Sequence, residues 1–202
     1  IVGLIMVFHS DVTIKEKNVQ TEVEGVYDFS TTSVKSSKTT IPFFKNNEFK
    51  EIGGTCILPS RVRNCLIENN IFDQPGAKTN PRMIGRGSAV WNWYSVNTII
   101  QYNQATSIRG ILDSHGIHVD HHNENTFIQY NYMEDCEGGF VEILGDNETA
   151  VYRFNISVND GWRENPNWVN SNHTIWLSNT IGGEAGHESN NSFIYNNTVV
   201  VN

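Results

Sequence analysis

The seven residues NTFIQYN, at positions 125–131, decide how this chain folds, because the phrase returns along its length. CLIENNIF starts at Cys65, TIIQYNQA at Thr98, TFIQYNYM at Thr126, AVYRFNIS at Ala150, TIWLSNTI at Thr174 and SFIYNNTV at Ser192. Each places an asparagine five residues after its first: Asn70, Asn103, Asn131, Asn155, Asn179 and Asn197, at intervals of 33, 28, 24, 24 and 18. TIKEKN, at positions 13–18, reads as a degenerate earlier copy. Short β-rich runs parted by Asn, Gly and Asp turns, repeating every couple of dozen residues, indicate a solenoid. A β-sandwich also has short strands, but it gives no reason for one polar residue at a fixed phase. In a parallel β-helix that phase becomes a column, one coil above another at ~4.8 Å. Stacked asparagines then form an amide ladder, and Asn tolerates the left-handed backbone of a tight bend. Strands are expected within 64–72, 97–105, 125–133, 149–157, 173–181 and 191–201.

Composition supports a folded chain and narrows its partners. The 202 residues suit a single domain, 1–202, with the clearest coils from 64 to 202. Charged residues make up only 18%, and 26 asparagines, 23 of them from Asn64 onward, supply the missing polarity. A net charge of −8 argues against nucleic acid, whose phosphates demand surplus Lys and Arg. Residues 28–60 lack the Asn phase and read as a long loop or insertion. Cys56, Cys65 and Cys136 match no zinc module, although a Cys56–Cys65 bridge remains open. IVGLIMVF, at the start, is too short to span a membrane and has no basic flank or cleavage site. It reads as a buried strand. Neither end carries a cap for the solenoid, so the chain is expected to be a piece of a longer protein.

GIHVDHHNENTFIQYNYMEDCEGGFVEILG (116–145) and YRFNISVNDGWR (152–163) resemble the right-handed parallel β-helix proteins of carbohydrate-active type. That group includes pectate-lyase-like lyases, polygalacturonase-like hydrolases and non-catalytic modules. The likeness covers about residues 64 to 202. It implies a right-handed parallel β-helix, a polysaccharide or oligosaccharide partner, and a secreted, periplasmic or cell-surface location, with no membrane partner.

Four of the seven histidines, His115, His118, His121 and His122, lie within eight residues. Stepping back one 24-residue interval lays FVEIL (140–144) over GIHVD (116–120). Alternation then points Ile117, Val119, Val141 and Ile143 inward. His118 stacks on Glu142 on the outward, exposed face, with Asp120 one pleat along. AVWNW (89–93) fits one coil earlier and sets Trp91 and Trp93 in line with them. Exposed Trp beside carboxylates and His suits sugar rings, whose C–H faces stack on indole.

Three chemistries fit that strip. Asp120 and Glu142, separated by one coil and one pleat pair, lie on a diagonal of ~8 Å, within the ~6.5–9.5 Å of inverting glycosidases. His118 then tunes Glu142 or holds the water. Alternatively His118, Asp120, His122 and Glu142 hold a metal, their mixed His and carboxylate ligands permitting Zn or Mn while the acidic turns suit Ca, although no cofactor is required. In the third reading the strip only binds glycan. His115, His122, Arg163 and Trp168 are the remaining substrate-binding candidates, while His121 and His122 sit in a turn where solvated polar residues are ordinary. The resemblance implies an Arg or Lys base for the lyases, and no Lys follows Lys78. Hydrolysis is therefore expected over elimination.

Overall fold

A computed structural model describes residues 4–6, 43–76, 86–110, 112, 114–163 and 173–202 of the chain. These residues form an all-β structure without a helix, built from three long stacks of parallel strands. The first sheet holds Val90–Asn92, His115–Val119, Gly139–Ile143 and Ile175–Leu177. The second holds Phe43–Lys45, Arg63–Glu68, Val96–Gln101, Glu124–Gln129, Glu148–Arg153 and Phe193–Tyr195. The third holds Glu48–Lys50, Ile71–Asp73, Gln104–Thr106, Tyr132–Glu134, Ile156–Val158 and Thr198–Val200. Within each stack a strand pairs with its equivalent in the next repeat, as the solenoid reading requires. Two small antiparallel pairs stand outside the stacks: Leu4–Met6 with Leu58–Ser60, and Thr180–Ile181 with Glu184–Ala185.

Register turns the sequence repeat into columns. Cys65, Thr98, Thr126 and Ala150 align, as do Ile67, Ile100, Ile128 and Tyr152, and all eight are buried. In the third sheet Phe49, Phe72, Ala105, Met133 and Ser157 form another buried column. Alternation every second residue produces these columns, because only one face of each strand meets the shared interior. All three cysteines are buried and free, so Cys56 and Cys65 are not bridged. Burial pushes the Cys65 thiol up to about 12 and the other two upward as well, which suits packing and not reactivity.

The asparagine ladder is present with one member exchanged. Asn47, Asn70, Asn103, Asn131, Asn155 and Asn197 follow one another, each backbone N–H and side-chain amide donating to the next Oδ1 at 2.9–3.0 Å. From Asn70 onward each also donates to a backbone carbonyl beneath it, as Asn131 does to Ile100. Asn179 is not in this column; its segment, Ile175–Leu177, joins the first sheet beside Gly139–Ile143. The expected left-handed backbone falls one residue earlier, at Asn46, Asn69, Tyr102, Tyr130, Phe154 and Asn196. A second, shorter ladder links Ser95, Asn123, Asn147 and Ser189 between the first and second sheets. Residues 43–60, expected to be loop or insertion, instead supply strands to both larger sheets. The early copy at 13–18 and residues 28–42 lie outside the described residues.

Candidate functional site

Across the first sheet, Trp91, His118, Glu142 and Trp176 fall in register on successive strands. The pairing of His118 with Glu142 is thus present, but the exposure expected of it is not. His118, Glu142, Asp120 and His115 are exposed by only 1%, 4%, 6% and 2%. Side chains from the connections between the third and first sheets rise around the column. Arg163 donates to the carbonyl of Leu112 at 2.7 Å, to that of Gly110, and to Ser114 Oγ at 3.2 Å, fixing the segment that leads into His115. Leu112, Arg163, His173 and Trp176 then line a cleft of about 190 Å³ together with His115, His121, Glu142, Leu144, Ser178 and Thr180. Strict alternation says which way a side chain points; it does not say what a neighbouring connection lays over it.

Two imidazoles meet one carboxylate beside a backbone irregularity. The amides of Phe140 and Val141 both donate to the carbonyl of Thr174, the two-against-one pattern of a bulge. Gly139 beside it holds φ 122°, and a Cβ there would lie 2.5 Å from the carbonyl oxygen of His173. On the paired strand His115 and His118, three apart, both reach Glu142 Oε2: His115 Nδ1 at 2.5 Å and His118 Nε2 at 3.3 Å. Gly138 lets the backbone close on His115, since a Cβ there would lie 2.9 Å from its Nδ1.

Asp120 is held just as closely. The Trp91 indole N–H donates to its Oδ2. Its Oδ1 accepts the backbone N–H of His121 at 2.7 Å and lies 3.1 Å from His121 Nε2. Trp91 also lies flat against His118, with ring centroids 5.4 Å apart and planes 3° from parallel. One indole therefore touches both halves of the site, joining the imidazole on Glu142 to the carboxylate on His121.

The other expected residues divide. Trp93 packs edge-on against Tyr94 with the Arg61 guanidinium over its ring, and does not line the cleft. His122 occupies a left-handed corner, φ 58°, one residue before the ladder member Asn123. From there it faces Asp146 at 3.5 Å and the Tyr94 ring, away from His118 and Glu142. The four-residue metal set is thereby split, and among the described residues no group of three or more His, Cys, Asp or Glu side chains is arranged to hold a metal ion. Trp168 lies outside the described residues. Arg163 does line the cleft.

Sequence reasoning missed His173 and Trp176 and gave His121 only a solvated turn. The signal for the first two was present: HTIWL (173–177) repeats the pattern of HGIHV (115–119), an apolar pair flanking an aromatic ring after a leading His. His173 sits edge-on to Trp176, centroids 4.4 Å apart, and 5.8 Å from the His115 ring. Nothing in the local sequence of His121 distinguishes it from His122; only the reach back to Asp120 does.

No family model matches the chain, and no solved structure matches it. Among curated proteins, the phospho-N-acetylmuramoyl-pentapeptide-transferase of Flavobacterium psychrophilum is 47% identical over 55 residues, which is 24% of this chain and 13% of the transferase. The likeness is confined to that short stretch and shows no family.

Proposed function

We propose that this chain is part of a right-handed parallel β-helix enzyme that cleaves a polysaccharide outside the cell by acid–base chemistry in the first-sheet cleft. The observation that carries the reading is the pair of carboxylates, Glu142 and Asp120, each in contact with an imidazole that lines one cleft. Two proton-handling groups on opposite sides of a scissile bond are what glycoside hydrolysis requires. Register places the backbones of Asp120 and Glu142 one strand and two residues apart, a diagonal of ~8 Å that leaves room for an attacking water. Trp176 offers an apolar ring to a sugar face, and Ser178 and Thr180 offer hydroxyls to its polar edge. The cleft is smaller than the ~300–1,000 Å³ that encloses a drug-sized ligand, so it suits one ring of a longer chain.

Elimination on a uronate is the second reading, and Arg163 in the cleft wall favours it. A cationic group beside an imidazole base is the arrangement that removes a proton next to a carboxylate. A glycan-binding module without turnover would share Trp176 but would not require the carboxylate–imidazole contacts. Incubation with a polysaccharide panel separates the three. New reducing ends without ultraviolet absorbance mark hydrolysis, and absorbance of an unsaturated product marks elimination. Retention on a polysaccharide without either product would remove the enzymatic reading.

A further inference from the structure

We propose that the outer face of the second sheet docks a second copy of this chain. Register gives that face two apolar columns. Phe43, Leu66, Ile99, Phe127, Val151 and Phe193 align across the six strands on the side away from the interior, and of these only Val151 is buried. Three residues along the strand, about 10 Å away, the corner to the third sheet carries Tyr102, Tyr130 and Phe154, exposed by 53%, 44% and 39%. Between the columns runs a polar row whose members satisfy one another. Lys45 meets Glu68 at 2.7 Å, and Gln101 donates to Glu68 at 2.6 Å. Gln129 donates to Gln101 and Arg153 Nε to Gln129, both at 2.8 Å.

The turn itself does not require aromatic residues at this corner. Tyr102, Tyr130 and Phe154 hold φ 55°, 56° and 56°, where a bulky side chain is strained. At the same phase of other coils Asn46, Asn69 and Asn196 make the turn with a residue that tolerates it. The rings stack, Tyr102 on Tyr130 at 5.1 Å and Tyr130 on Phe154 at 5.2 Å, with planes 7° and 9° from parallel. Stacking covers the ring faces and turns the edges to solvent. A sugar ring needs an open aromatic face, whereas a packed protein surface accepts edges.

Charge and size select a second copy as the occupant. The strands of the second sheet carry Lys45, Arg63 and Arg153 against Glu68, Glu124 and Glu148, so the sheet is neutral in a chain of net charge −8. Two acidic copies meet without repulsion where neither brings excess charge. A two-fold axis along the solenoid, lying between the columns, lays the aromatic column of each copy on the apolar column of the other. That is the self-complementary arrangement of an isologous dimer. The face spans roughly 24 Å by 20 Å, a footprint of about 500 Å² per copy, close to the ~600 Å² per partner of weak, transient contacts.

Sedimentation velocity from micromolar to millimolar concentration should show the wild-type chain passing from monomer to dimer. The triple variant Tyr102→Asn, Tyr130→Asn and Phe154→Asn should stay monomeric throughout, with wild-type circular dichroism, since Asn serves the same position in three other coils. Ile99→Arg, in the other column, should also stay monomeric, because it places an unpaired charge in the contact. A wild type that remains monomeric at millimolar concentration would overturn the proposal. So would a dimer that persists in either variant, since it would run through another surface, such as the strand edge at Phe193–Tyr195. A monomeric wild type retained on an immobilised polysaccharide, with retention lost in the triple variant, would assign the face to glycan instead.

Discussion

Two corners of each repeat behave in opposite ways. Between the second and third sheets the connection never varies: two residues, such as Tyr102–Asn103, Tyr130–Asn131 or Phe154–Asn155, join one strand to the next. Between the third and first sheets the chain runs from Asp73 to Val90, from Thr106 to His115, from Glu134 to Gly139 and from Val158 to Ile175. The short corner is closed by backbone accounting, since a left-handed residue turns the chain and the following Asn satisfies the amides above and below. The variable corner has no such constraint, and there the chain places Leu112, Ser114, Arg163 and His173 around the carboxylates. One corner holds the register of the stack; the other builds the cleft.

The comparison fails first if the cleft side is inert. Glu142→Gln and Asp120→Asn should each lower turnover by ~10²–10⁴-fold, the first through loss of a proton-handling group and the second through loss of the carboxylate in contact with His121. Circular dichroism should be unchanged, and wild-type turnover in both variants would remove their assignment. At the opposite corner, Asn131→Ala strips the acceptor from the Asn103 amides and the donor from the Ile100 carbonyl. Leaving these groups buried and unmet should destabilise the chain by about 3 kcal/mol in urea unfolding.

Asp160 sharpens the contrast, because at the variable corner it accepts a main-chain amide of the neighbouring coil as a ladder asparagine does. Its Oδ1 accepts the Cys136 amide at 2.9 Å and its Oδ2 the Ser157 hydroxyl at 2.6 Å, inside the buried stack. Burial raises its carboxyl from the usual 3.8 to about 6. A raised acid binds its proton more tightly in the folded state, so stability is greatest below about pH 4 and falls as pH rises through about 6. Asp160→Asn should therefore stabilise the chain by about 2 kcal/mol at pH 7 and by almost nothing at pH 4. A gain independent of pH would refute the assignment. The smallest effect is expected at Asn179, which looks like a ladder member in the sequence but is not one. Asn179→Ala should change stability by no more than about 0.5 kcal/mol, the ordinary range of a surface change.

How far the sequence could be read follows the same division. Five of the six asparagines assigned to the main ladder are there, because the short corner writes itself as a fixed spacing from a β-rich run. Asn179 mimicked that spacing, and Asn47 was passed over because the run before it, Phe43–Lys45, is only three residues long. The register of His118 on Glu142 was legible through the equal 24-residue intervals. Their burial was not, since it depends on Arg163 and His173, which lie one connection away with no periodicity to place them. Likewise a carboxylate reads the same in sequence whether its oxygens are free or, like those of Asp120, already occupied.

Tyr152 has a consequence of its own. Its ring fills the interior against Phe140, and its hydroxyl lies 2.9 Å from the carbonyl of Ile117 and 3.1 Å from that of Glu142. It thus touches, from inside, the main chain of the two strands whose outer faces carry His118 and Glu142. Burial pushes this phenol well above 10. The folded chain keeps the proton where the unfolded chain sheds it, so stability drops as alkaline pH passes the ordinary phenol range. Phenolate absorbance from Tyr152 should therefore rise together with loss of the stack and not ahead of it. The residue acts as a built-in optical gauge, seated directly behind the cleft, of whether those two strands are still joined.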